Sequence, residues 1–278
     1  MNINLWGVRG SIPVTGPETA TYGGNTSCVS VWEEGWLLVL DGGSGIQRLE
    51  NVQPLLHKRI DILLTHLHLD HIQGLGFFKP LFDPSMEIHL WGPASSTVSL
   101  HARLSRYLSP PLFPVRIRDL PCKIMLHEIG RSVFKIGPFT VHSDFVIHPG
   151  PTVGYRVEGS HSVVTYLPDH EPALGQHGMI PDRKWISGIG LAQEADVLLH
   201  DAQYTSQEYP DKKGWGHSSW EDAGLFASRA GVKRLLFMHH DPSRTDAQVK
   251  EILTDFQNKS AYSYKSEAAR EGMRIMLK

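Results

Sequence analysis

Residues 65–74 read Thr-His-Leu-His-Leu-Asp-His-Ile-Gln-Gly, THLHLDHIQG, and the five residues before them, Ile60-Asp61-Ile62-Leu63-Leu64, are mostly branched and apolar. Such a run reads as a buried strand. His66 and His68 alternate as the chain leaves it, so in extended backbone they point to one side. Asp70 and His71 come after the turn and reach back toward the same volume from another direction. Leu67 and Leu69 alternate with the histidines, which marks half-buried organised structure and not a solvated polar turn. One metal ion is expected on the first pair and a second on the next.

Two ions with an open coordination position need about three protein ligands each. Four are supplied here, so the others are expected at further strand ends. His148 follows Phe145-Val146-Ile147 and precedes Pro149-Gly150-Pro151. Asp169 follows a strand-like run in VVTYLPDHE, and His239 ends Leu235-Leu236-Phe237-Met238, with the adjacent His240 as the fallback.

The rest of the chain fits an ordinary globular protein. It has 278 residues, 41% hydrophobic and 20% charged, with a net charge of −2. That balance excludes the strong basic excess of a general nucleic-acid binder. Cys28 and Cys122 are too few for a disulfide framework and too far apart for a zinc ribbon, so they read as small buried hydrophobes. MNINLWGVRG lacks a basic stretch followed by an apolar core, so no signal peptide is expected. No run of 18 apolar residues occurs, so no membrane span is expected and the cytoplasm is the expected compartment.

Strands are predicted over residues 2–6, 28–32 and 36–40, the last two as a hairpin, then 60–64, 87–91, 132–147, 153–157, 162–166, 197–200 and 235–238. Ser218-Ser219-Trp220-Glu221 is read as a capping box opening a helix that Gly231 stops, and Thr245-Asp246-Ala247-Gln248 as another. Residues 95–118, with four arginines around an apolar Pro-rich stretch, are read as a surface helix and loop. His142 is placed before a strand, and His170 beside Asp169 is read as a supporting or surface residue. Two sheets sharing one core with helices outside are expected, as one domain over residues 1–278.

With His-x-His-x-Asp-His intact, the chain resembles the metallo-β-lactamase superfamily from its first strand to the helix after His239. That resemblance implies a four-layer αββα sandwich. It implies that His66, His68 and His148 hold one divalent ion, and Asp70, His71 and His239 the second, with Asp169 bridging. Asp41, in LDGGSG, matches the superfamily's early aspartate and is taken as a residue organising the loop under the ligands. GVRGSIP, GGNTSC, HPGPTVGYRVEGSHSVVTYLPD, ADVLLHDAQYT and GWGHSSWEDA are similar to the ribonuclease Z and cyclic-phosphodiesterase branch. In that branch an acidic residue pairs with a histidine in a GHS-type turn, and Asp201 and His217 occupy those places.

The expected reaction is hydrolysis of a cyclic or short nucleotide phosphodiester by a hydroxide bridging two divalent ions, zinc first, with manganese or iron(II) also suited to the donors. Asp70 is expected to orient the hydroxide, and His217, kept basic by Asp201, to protonate the leaving alkoxide. The alternative is a thioester or lactone hydrolase at the same metals. Residues 170–195 are short and carry no basic Gly/Pro-rich arm, which argues against transfer RNA as substrate. A homodimer stays open.

Overall fold

The computed structural model describes residues 1–51, 58–174 and 178–278. Two seven-stranded sheets face each other. The first contains β1 (Asn2–Gly7), β2 (Cys28–Glu33), β3 (Trp36–Leu40), β4 (Arg59–Leu63), β5 (Glu87–Pro93), β6 (Lys123–Ile129) and β14 (Arg274–Met276), in the order β14-β1-β2-β3-β4-β5-β6. The second contains β7 (Ser132–Ile136), β8 (Phe139–Phe145), β9 (Val153–Glu158), β10 (Val163–Leu167), β11 (Val197–Asp201), β12 (Arg234–Met238) and β13 (Lys265–Ala268), in the order β13-β12-β11-β10-β9-β8-β7. Helices α1 (Leu69–Ile72) and α2 (Leu100–Leu104) cover the first sheet. α3 (Ile189–Ala192), α5 (Trp220–Ala230) and α6 (Asp246–Lys259) cover the second, and α4 (Tyr209–Lys212) lies in the loop before α5. This is the four-layer αββα sandwich expected from the sequence.

Period-two alternation builds the layers. In β4, Leu63 enters the core between the sheets while Ile60 and Ile62 enter the core under the helices. Asp61 breaks the apolar pattern and is fully buried; Arg59 grips it with two 2.8 Å bonds and the Trp91 indole donates at 2.9 Å. Each sheet is half antiparallel and half parallel. β3 to β6 run parallel, as do β10 to β13. β8 and β10 both pair antiparallel with β9, so they share one direction. The carboxyl ends of these strands open on one edge, where α/β sheets place their ligands.

The expected strands are present. The run over 132–147 is two strands, because Gly137, with φ of 53°, turns the chain between β7 and β8, and His142 lies inside β8. β6, β13 and β14 are additional. The helix after His217 is capped one residue later than the sequence pattern suggested: Ser219 Oγ accepts from Asp222 N at 3.0 Å, while Glu221 accepts from Ser206 N. The Thr245–Gln248 box forms on both sides as expected. Both cysteines are free and buried. Among the described residues no helix is long and apolar enough to cross a membrane.

Candidate metal centre

Six strand ends deliver the candidate residues to one edge. β3 ends at Leu40 and Asp41 follows with φ of 60°; β12 ends at Met238 and His239 follows with φ of 58°. Left-handed backbone costs a residue with a Cβ about 1–3 kcal/mol and persists where the surroundings enforce it. Here it turns both side chains back over the strand ends. The loop after β4 is tied to the opposite sheet: Tyr155 Oη donates to Leu64 O at 2.6 Å, and Val153 N to Thr65 O at 2.9 Å. His66 therefore stands between the sheets. His68 is the residue before α1, whose single turn lifts Asp70 and His71 from below.

Each ring is oriented from behind. Asp41 Oδ2 accepts from His71 Nδ1 at 2.8 Å, the Gly216 carbonyl from His148 Nδ1 at 2.8 Å, and Gln203 Oε1 from His239 Nδ1 at 3.0 Å. Thr65 Oγ1 donates to Asp41 Oδ2 at 2.9 Å and so accepts from His66 Nδ1 at 3.1 Å. The four Nδ1 atoms are tied outward, and the four Nε2 atoms face inward. His68 is reversed, with its Nδ1 lying 3.2 Å from His148 Nε2. Such outer bonds set the tautomer of a metal-binding histidine.

The inward atoms form two nests that share Asp169. Its Oδ1 lies 3.0 Å from His71 Nε2 and 3.3 Å from His239 Nε2; its Oδ2 lies 3.7 Å from both His66 Nε2 and His148 Nε2. Asp70 Oδ2 is 3.3 Å from the Nε2 atoms of His71 and His239, and it accepts from Ser11 N at 2.8 Å. The donor atoms of His66, His68, His148 and Asp169 lie within 4.8 Å of one another, as do those of Asp70, His71 and His239. His66 Nε2, His71 Nε2 and Asp169 Oδ1 are buried without a hydrogen-bond partner. Buried polar atoms left unpaired are costly; three convergent ones among carboxylates fit divalent cations. Burial works against charge on Asp70 and Asp169, but the neighbouring histidines outweigh it and hold both well below the usual carboxylate range.

His240 is the excluded neighbour. It turns away, its Nε2 donating to Ala269 O at 2.8 Å. His170 is fully buried behind the site, with its Nδ1 2.9 Å from His200 Nε2. His217 stands beside the nests. Its ring stacks on His239 at 4.8 Å and meets His148 edge-on at 5.1 Å. Its Nδ1 donates to Asp201 Oδ2 at 2.7 Å, and Asp201 is itself held by the backbone N–H groups of His170 and Gln203. Burial disfavours the charged ring, but the carboxylates, Asp201 foremost, prevail and raise His217 to about 9.

A family model described as a beta-lactamase superfamily domain matches residues 38–240, most of the chain. The chain belongs to the beta-lactamase superfamily. Within the superfamily it is similar to the ribonuclease Z of Myxococcus xanthus, 27% identical over 91% of this chain and 92% of that protein. Two solved structures share the fold. The metallo-beta-lactamase fold protein YhfI of Bacillus subtilis superposes with a TM-score of 0.73 at 18% identity, covering 99% of this chain and 98% of that one. Human tRNase Z, short form, superposes with a TM-score of 0.69 at 24% identity, covering 99% of each. This superfamily member is a hydrolase, as its residue pattern implied. The residues that sequence reading passed over are those orienting from behind: Thr65, Gln203, Gly216 and Glu171. Glu171 and Gln203 each stand two residues after a candidate already named, which was the available signal.

Proposed function

We propose that the protein hydrolyses a phosphodiester in a cyclic or short nucleotide. The observation that carries this reading is the His217–Asp201 bond of 2.7 Å at the margin of the nests. A thioester's thiolate leaves without a proton donor so placed, whereas an alkoxide leaving from phosphorus needs one. The relatives named ribonuclease Z support the same bond type. His66, His68 and His148 would hold one cation and Asp70, His71 and His239 a second, with Asp169 between; nitrogen and carboxylate donors suit zinc, then manganese or iron(II). Bound there, the cations would acidify water and draw charge from the phosphate oxygens. Asp70, pinned by Ser11 N, accepts a hydrogen bond from the attacking water and aims it. His217, proton-loaded at neutral pH, gives its proton from the nitrogen that Asp201 leaves free, and the P–O bond to the alkoxide breaks.

A small substrate is favoured because residues 170–195 add only the helical turn Arg183–Trp185 and α3 among the described residues, 175–177 lying outside them. We read residues 1–278 as one hydrolase domain, since β1 pairs with β14 and closes the first sheet with both ends of the chain. The free, buried thiols support the cytoplasm. The test is a turnover screen of cyclic nucleotides, dinucleotides, a precursor transfer RNA, a thioester and a lactone, with metal content measured on the same sample. Turnover of the small diesters with two equivalents of metal is expected. Activity confined to the long RNA overturns the small substrate, and activity confined to the acyl compounds overturns the reaction.

A further inference from the structure

Glu171 is fully buried, two residues beyond Asp169. Its Oε1 accepts from Gly214 N at 2.7 Å and Tyr209 Oη at 2.8 Å, and its Oε2 from Gly216 N at 2.7 Å. A buried carboxylate is tolerated when such donors meet its charge, and charge-assisted bonds are stronger than neutral ones. Gly214 and Gly216 have φ of 87° and 92°, which lets alternate N–H groups of the loop converge on one anion. The Gly216 carbonyl is the acceptor for His148 Nδ1, and a Cβ on Gly216 would sit 2.3 Å from that nitrogen. On the other side of His217, Ser218 Oγ donates to His170 O at 2.6 Å. The segment Asp169-His170-Glu171 thus supplies the carboxylate shared by both nests and grips the chain immediately before and after His217.

We propose that Glu171 is a positioning residue: by clamping Gly214 and Gly216 it sets the acceptor that orients His148 and the place from which His217 serves the leaving group. The proposal rests on the phosphodiester reaction above for its kinetic readout, and on the loop bonds alone for its structural one.

The test is Glu171→Gln. The amide keeps the shape but must turn a donor toward one of three donors, so the clamp opens. In the metal-free chain, hydrogen exchange at Gly214 and Gly216 should quicken while the strands stay protected. In the metal-loaded enzyme, turnover of diesters with alkyl leaving groups should fall about 10–100-fold, the usual cost of losing such a support, and nitrophenyl diesters should lose far less. Combined with His217→Ala, the two losses on alkyl diesters should fall short of multiplying, because both act on one proton transfer. Unchanged exchange at Gly214 and Gly216 overturns the clamp. Equal losses on both diester types that multiply with those of His217→Ala overturn the action through His217. If Glu171→Gln does not fold, Glu171→Asp keeps the charge but shortens the reach by one methylene, and exchange at Gly214 and Gly216 should still quicken; no change there overturns the proposal. A wild-type enzyme inactive on every phosphodiester refutes the reaction and leaves the exchange measurement to decide the clamp.

Discussion

At the scale of single residues, roles separate by what surrounds each ring. His217 gives its Nδ1 to Asp201 and lies close to the donor atoms of Asp169 and His239 as well, but each nest has three protein ligands without it, which leaves it as the proton donor. His217→Ala should leave metal content near normal and slow diesters with alkyl leaving groups by about 10²–10⁴-fold, the range for a lost general acid. Nitrophenyl diesters, whose leaving group needs no proton, should be spared; parallel kinetics on both decide it, and equal losses would reassign His217 to binding. Asp41 holds His71 and Thr65 from behind. Asp41→Asn puts an amide where two donors converge, and should weaken metal affinity about 10–100-fold in a chelator competition titration; unaltered affinity would refute the orienting role. A Cβ on Gly10 would sit 2.4 Å from His239 Nδ1. Gly10→Ala should therefore also lower metal affinity, and because the His239 ring is buried and held by Gln203 the melting temperature of the metal-free protein should fall too; unchanged affinity would refute the link. The candidate ligands were legible because each stands where a β-rich run stops. Their supports were not: Gln203 and Gly216 act through contacts 36 and 68 residues away, which no local pattern encodes.

Among the elements, the strands that sequence patterning found are, β7 apart, interior ones, and the parallel ones among them carry near-continuous apolar runs that come from burial on both faces. β6, β13 and β14 escaped because Lys123, Met125, Lys265, Arg274 and Met276 leave them half exposed, and two of them are sheet edges of three or four residues. Their pairing is fixed by distant partners and not by propensity. Helix ends are more local. Thr245 Oγ1 accepts from Gln248 N, and the Gln248 side chain accepts from Thr245 N at 2.8 Å. Thr245→Ala should cost about 1 kcal/mol in denaturant unfolding and leave turnover as it was. A loss of activity without a loss of stability would show that α6 reaches the site in a way these bonds do not describe.

For the molecule as a whole, buried neutral histidines make stability depend on pH. Burial pushes His200 below its ordinary 6.5, and His240 down to about 3. The unfolded chain takes up protons near 6.5 that these folded rings refuse, so their contribution is complete above that pH and is lost progressively as the pH falls from 6.5 toward 3, while His217, raised to about 9, contributes in the opposite sense, fully below 6.5 and not at all above 9. The melting temperature of the metal-free protein should fall steadily between pH 6.5 and pH 5; a flat profile would mean that the His200 and His240 rings are charged when folded. The layered architecture was legible from the alternation of strands and from one ligand motif. Sheet order was not, because it is settled by pairings such as β1 with β14, across nearly the whole chain. That same breadth bears on synthesis. His239 meets an aspartate 169 residues earlier, and at ordinary elongation rates about 10–30 s separate their emergence from the ribosome. Early in that interval the nascent chain displays His66, His68, Asp70 and His71 alone; His148 and Asp169 join them part-way, and His239 comes last. A cation caught then rests on a fragment, and only the arrival of β12 turns a loose chelate into the complete centre.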